Sequence, residues 1–255
     1  MKPIGLAFDI ETAIDPHAAL PEATIKPGNT KDPGKLAIKQ DEANEALIRK
    51  AALDPHFSRV VAIGYLLKPD SDDDTEQHYV DVINTPDDYL FGLDGDAADH
   101  KEDLDKRELA LIIDLWATIT RTIDTDRRFA TFNGTGFDLK FLYRRSLILG
   151  LPVPERVMDR TYHVDALLAL TESEPGTGRG IMFQAPTPTP RNLRFYSATL
   201  LNPDPHAGLV DIDKSQNATA IGIPERRQEL VDDTNAATLA TYLLANKCVT
   251  ILGTA

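Results

Sequence analysis

The chain has 255 residues, 42% of them hydrophobic and 26% charged, with a net charge of −13. That is the composition of a folded water-soluble domain, and its excess of acids argues against adhesion to nucleic acid over the whole surface, though not against a local basic track. No apolar run reaches the roughly 20 residues of a membrane span, and the single cysteine, Cys248, excludes an internal disulfide and a cysteine zinc site. The N-terminal apolar run is broken by Asp9 and does not read as a signal peptide, so the expected compartment is the cytoplasm.

Residues 4–10 read as a buried strand that leads into Asp9 and Glu11. Side chains two apart on a strand share a face. Two such acids are either solvated at a strand end or arranged around a divalent cation such as Mg²⁺ or Mn²⁺. Residues 13–35 hold Pro16, Pro21, Pro27 and Pro33 and read as loop, followed by an amphipathic helix over 38–53. At this length the region 13–58 is an insertion, serving as a lid or as an ornamental loop. Strands are expected at 59–67 and 77–83, paired as a hairpin around an acidic tip, Asp70 to Asp74, that reads as solvated. Residues 84–102 read as a polar loop. A helix with Trp116 in its core stripe should span 104–123.

A short strand at 129–132 then meets Asn133-Gly134-Thr135-Gly136-Phe137-Asp138 and a helix over 139–149. A strand, a glycine-rich turn and a helix together place polar groups at the carboxyl edge of a sheet. Asp138 is read either as part of a site or as a helix cap. A further strand ends at Asp165. For Asp165 a capping or Arg160-pairing role is favoured over metal binding, and His163 reads as a hydrogen-bonded core residue. Residues 171–190 suggest a mobile loop, 193–201 a short helix and 202–223 irregular chain. Pro224 should open a helix running to about Val231, with Asp232 and Asp233 on a turn. Thr234 should cap a last helix over 235–251.

The motifs now in view carry a resemblance. Phe8-Asp9-Ile10-Glu11-Thr12 resembles the first motif of the DEDD superfamily of 3′–5′ exonucleases, and Asn133 to Asp138 with Phe141-Leu142 resembles the second. The likeness is to the tyrosine-containing branch, nearest to the stand-alone bacterial and phage relatives of the family B polymerase proofreading domain. Arg59 to Tyr65 and Tyr162 to Asp165 are also similar to stretches of those proteins. The third motif, Tyr-x-x-x-Asp, is matched by Tyr242-Leu243-Leu244-Ala245-Asn246, with asparagine in place of the aspartate and Lys247 where an apolar residue is usual.

The resemblance implies a single α/β domain over 1–255 of ribonuclease H-like fold. It would have a mixed sheet of about five strands with helices on both faces. It implies a two-metal Mg²⁺ or Mn²⁺ site held by Asp9, Glu11, Asp138 and Asn246, with Tyr242 orienting the attacking water. Thr12, Asn133, Gly134, Phe137, Arg144 and Arg145 would contact substrate. The implied activity is 3′–5′ exonucleolysis of single-stranded DNA ends. Asn246 keeps a carbonyl acceptor but loses the charge, which weakens one metal. Asn246 is then a change made to trap substrate, the mark of a natural member that binds ends without cutting, or a feature of a slow enzyme. The alternatives are an inactive module binding nucleic-acid ends or a replication or repair protein, and an exoribonuclease. Local charge supports a nucleic-acid partner: residues 127–200 hold ten Arg and Lys against six Asp and Glu.

Overall fold

Strand β1 (Ile4–Ile14) runs through the centre of a five-stranded mixed sheet ordered β3-β2-β1-β4-β5. In the computed structural model, which describes residues 2–25, 32–68, 77–82, 97–171, 192–209 and 224–252, β2 (Ser58–Leu67) and β3 (Gln77–Val82) form an antiparallel meander with β1. On the other side β4 (Arg128–Thr131) and β5 (His163–Asp165) run parallel to β1. The α/β class, the five strands, their directions and the hairpin are as the sequence led us to expect.

The two faces of the sheet carry different side chains and so different helices. Leu6, Phe8 and Ile10 of β1, with Ile63, Tyr65 and Phe129, meet Ile112, Leu115, Trp116 and Ile119 of α2 (Ala97–Asp124) and Phe141 and Leu142 of α3 (Asp138–Ile148). Each large apolar side chain so buried contributes about 1.5–3 kcal/mol. Trp116 is core, as expected, and its indole N–H donates to Ser146 Oγ at 3.0 Å. Ala7, Leu66, Ala130 and Val164 line the opposite face. They pack against Tyr242, Leu244 and Ala245 of the last helix, together with α5 (Leu193–Leu200).

Several boundaries differ from expectation. β1 continues to Ile14 rather than ending at Ile10, so Glu11 and Thr12 lie within it, with a register shift between them. The first helix, α1, is Pro33–Ala51, because Asp32 caps it by accepting from Gly34 N at 2.9 Å and proline opens it. α2 begins at Ala97, not Leu104. Its first turns are held by the i,i+4 ion pairs Lys101–Asp105, Glu102–Lys106 and Asp103–Arg107, which an apolar stripe does not reveal. The final helix is continuous over Pro224–Leu252. Thr234 therefore caps nothing. Its buried hydroxyl donates to Leu230 O at 2.7 Å. Asp232 and Asp233 are helical, and Asp233 pairs with Arg194 at 2.5 Å. The acidic run 70–74 and nearly all of the 171–190 segment lie outside the described residues. No helix among the described residues is long and apolar enough to cross a membrane.

Candidate functional site

Asp9 stands opposite Gly64 in the β1–β2 ladder, and Glu11 stands opposite Ala62. Residues facing one another across an antiparallel pair point to the same side. A Cβ at position 64 would lie 2.8 Å from Thr234 Cγ2 and 3.1 Å from Thr234 O, and closer still to Thr238 Oγ1. That side of Gly64 is therefore the one the last helix crosses, and Asp9 and Glu11 share it. The parallel pairing with β4 ends at Ala7–Ala130, while the antiparallel pairing with β2 continues to Ile14–Ser58. Glu11 is 7% exposed, while Asp9 is half-buried. The acids thus occupy the inner stretch of β1 just past the end of β4, under the final helix.

The chain leaving β4 turns sharply here. Asn133 adopts a left-handed backbone, φ 65°, and its carbonyl accepts from Gly136 N at 2.9 Å and Phe137 N at 2.8 Å. Gly134 is required by close approach, since a Cβ there would sit 2.6 Å from Thr131 Cβ, whereas a Cβ at 136 would meet only the exposed Asn133 side-chain amide. Asp165 holds the turn from behind. It accepts from Asn133 N and Thr135 N, each at 2.9 Å, and also from Leu167 N at 3.1 Å at the start of α4 (Ala166–Thr171). The expected capping role is present, and the bracing of the turn is an added function. Thr131 Oγ1 and His163 Nε2 are 2.7 Å apart, and the His163 ring stacks on Phe129 at 4.8 Å. Burial holds His163 down at about 4, against the opposing pull of the Asp165 carboxylate.

Asp138 follows the turn as the first residue of α3 and is 3% exposed. It is not the cap, since Phe137 occupies that position. An acid in the first helical turn is favoured by the helix dipole. Tyr242 is 5% exposed within the cluster containing Ala7, Leu66, Ala130 and Val164. One turn on, Asn246 Nδ2 donates to Tyr242 O at 3.0 Å, which turns the Asn246 carbonyl oxygen away from its own helix. Lys247 Nζ donates to Leu200 O at 2.5 Å and is held toward α5. Among the described residues, no three His, Cys, Asp or Glu side chains form a group able to hold a metal ion.

Two of the expected substrate contacts lie in the interior. Thr12 is fully buried and donates to Ala52 O at 2.7 Å, tying β1 to the end of α1. Arg145, 4% exposed, donates to Glu108 through Nε at 2.8 Å and Nη2 at 2.5 Å, and to Pro55 O at 3.0 Å. Asn133 and Arg144 are exposed, Phe137 is half-buried, and Gly134 is buried beneath the turn.

The Arg145–Glu108 pair belongs to a buried ionic network that sequence reasoning missed. Glu108, fully buried, also accepts from Val60 N at 2.8 Å, and Arg59 beside it pairs with Asp15 at 2.5 Å and Asp105 at 3.3 Å. The signal in the sequence is helical spacing: Arg145 falls three and four residues from Leu142, Phe141, Ile148 and Leu149, and Glu108 from Leu111, Leu104 and Ile112, so both charges sit on apolar stripes. No protein-family model matches the chain, and no match is found among characterised proteins.

Proposed function

We propose that this chain is a ribonuclease H-like, metal-dependent 3′–5′ exonuclease acting on single-stranded DNA ends, weakened by Asn246. One observation carries the reading. Asp9 and Glu11 share the sheet face crossed by the last helix, where Thr234, Thr238, Tyr242 and Asn246 recur every fourth residue on one stripe. The antiparallel meander followed by two parallel strands agrees with the proposed fold.

Two carboxylates on one face of an inner strand repel, a divalent cation between them would offset that repulsion, and this donor set suits Mg²⁺ or Mn²⁺. Asp138 and the Asn246 carbonyl are the remaining proposed ligands, and because Asp9, Glu11 and Asp138 do not form a metal-holding group as they stand, a bound ion would have to draw them together. A bound divalent ion would supply Lewis acidity at the scissile phosphodiester. Tyr242, fixed by its packing, orients a water, and Asn133 at the exposed turn and Arg144 on the exposed side of α3 meet the substrate. Thr12 and Arg145 support the site from the interior. The neutral Asn246 also favours a second reading, an inactive module that binds nucleic-acid ends.

The test is a digestion time course on a 5′-labelled DNA oligonucleotide and its RNA counterpart with Mn²⁺, comparing the chain with Asn246→Asp and Asp9→Ala. We expect Asn246→Asp to raise stepwise 3′ shortening at least tenfold and Asp9→Ala to abolish it. Binding without cutting in all three proteins selects the inactive module. Cutting of RNA alone selects an exoribonuclease.

A further inference from the structure

The buried ionic network joins the elements that carry the proposed metal ligands. In the β1–β2 ladder Glu11 faces Ala62 and Thr12 faces Val60, so Val61 is an extra residue on β2. A bulge of this kind interrupts the ladder and re-aims the side chains beside it. At the bulge, Val60 N donates to Glu108 Oε1 at 2.8 Å. Glu108 thus reaches from α2 to the backbone at the point where β1 changes register, next to Glu11.

The same carboxylate holds α3. It accepts from Arg145 Nε at 2.8 Å and from Nη2 at 2.5 Å, and Arg145 Nη1 donates to Pro55 O at 3.0 Å. Asp138, Phe141, Leu142 and Arg145 are buried residues of α3 spaced three and four apart, so they lie on one stripe. About 10 Å of helix separates Asp138 from Arg145. α3 is therefore an arm that carries Asp138 at its start and is fixed farther along by Glu108.

Stability alone does not account for this arrangement. Glu108 is 0% exposed and Arg145 4%, and charges buried so deeply lose hydration that their attraction only about repays. A packed apolar pair of similar volume is often as stable or more so. What a forked guanidinium–carboxylate pair adds is fixed direction. We propose that Glu108 is a positioning residue for the metal site: by clamping α3 to the β1–β2 bulge it sets Asp138 against Glu11, a role that rests on the nuclease reading.

The test follows free Mn²⁺ by electron paramagnetic resonance during titration of the full chain, with urea unfolding of each protein alongside. The variants are Glu108→Gln, Glu108→Gln/Arg145→Met and Asp9→Ala. Glu108→Gln leaves the buried Arg145 charge short of its partner and should lower both stability and metal affinity. The double variant removes that stranded charge and should be more stable than Glu108→Gln, but it still lacks the clamp. We expect it to bind Mn²⁺ at least tenfold more weakly than the parent chain. If its affinity instead lies within about twofold of the parent chain, the network is structural only and the proposal is overturned while the nuclease reading stands. If the parent chain binds no Mn²⁺, or Asp9→Ala binds it equally well, the nuclease reading itself fails and the positioning role falls with it.

Discussion

Asp165 is the acid that does most for the turn, although it carries no assigned chemistry. One carboxylate satisfies N–H groups from the Asn133–Thr135 turn and from the first turn of α4. Asp165→Asn replaces one acceptor oxygen with an amide that cannot accept, and should cost about 1.5–3 kcal/mol in urea unfolding. Gly134→Ala drives a methyl into Thr131 and should cost about 1–3 kcal/mol by the same measurement. Gly150, whose φ is 71° with nothing near its Cβ position, is strained by alanine only through the backbone, so the two glycines separate steric from conformational cost.

The elements meet at two points where charge or small size is indispensable. Gly64 lets the last helix (α6, Pro224–Leu252) approach the sheet beside Asp9. Gly64→Ala should destabilise the fold by about 1–3 kcal/mol and, on the proposed nuclease reading, lower the initial cleavage rate further than the unfolded fraction explains, because α6 carries Tyr242 and Asn246. At the second point, Arg145 of α3 and Glu108 of α2 form a pair closed off from water. Arg145→Met leaves a buried carboxylate short of its partner and should cost about 3–5 kcal/mol. Adding Glu108→Gln should recover part of this loss, which a double-mutant cycle in urea would detect. α1 behaves oppositely. Only Ala51 of its residues is buried, and Ile38 is 59% exposed, so Ile38→Ser should change stability by less than about 0.5 kcal/mol.

For the whole molecule, pH is the most direct probe of the packed sheet. His163 has its folded value depressed from 6.5 to about 4, mainly by burial. The unfolded chain therefore takes up a proton before the native one does. Stability should be full above about 6.5 and fall as pH drops toward 4, by an amount on the order of 3 kcal/mol. His163→Gln should lower stability overall and flatten unfolding free energy over that window. The Asp15 carboxyl, pulled by burial one way and more strongly by Arg59 and hydrogen bonds the other, ends below its usual value. Its contribution is present above the carboxylate range and is lost only at lower pH, so the two limbs are separable.

Strand order and direction were legible because apolar runs of period two, an acidic, proline-containing stretch between two of them and a strand–glycine–helix turn are local signals. The same alternation put Asp9 and Glu11 on one face before any fold was known. What the sequence could not determine was partnership across the chain. The start of α1 is set by Asp32 capping and that of α2 is held by i,i+4 ion pairs, while α6 runs unbroken through the back-bonded Thr234, none of which apolar periodicity reveals. The residues Thr12 and Arg145 look like surface contacts in a motif, yet both are turned inward by partners 40 and 37 residues away, Ala52 and Glu108. Local physics decides which face a side chain takes, whereas burial against a distant segment decides what it meets there. Only the tertiary structure could separate the acids of the β1 face from those that brace it.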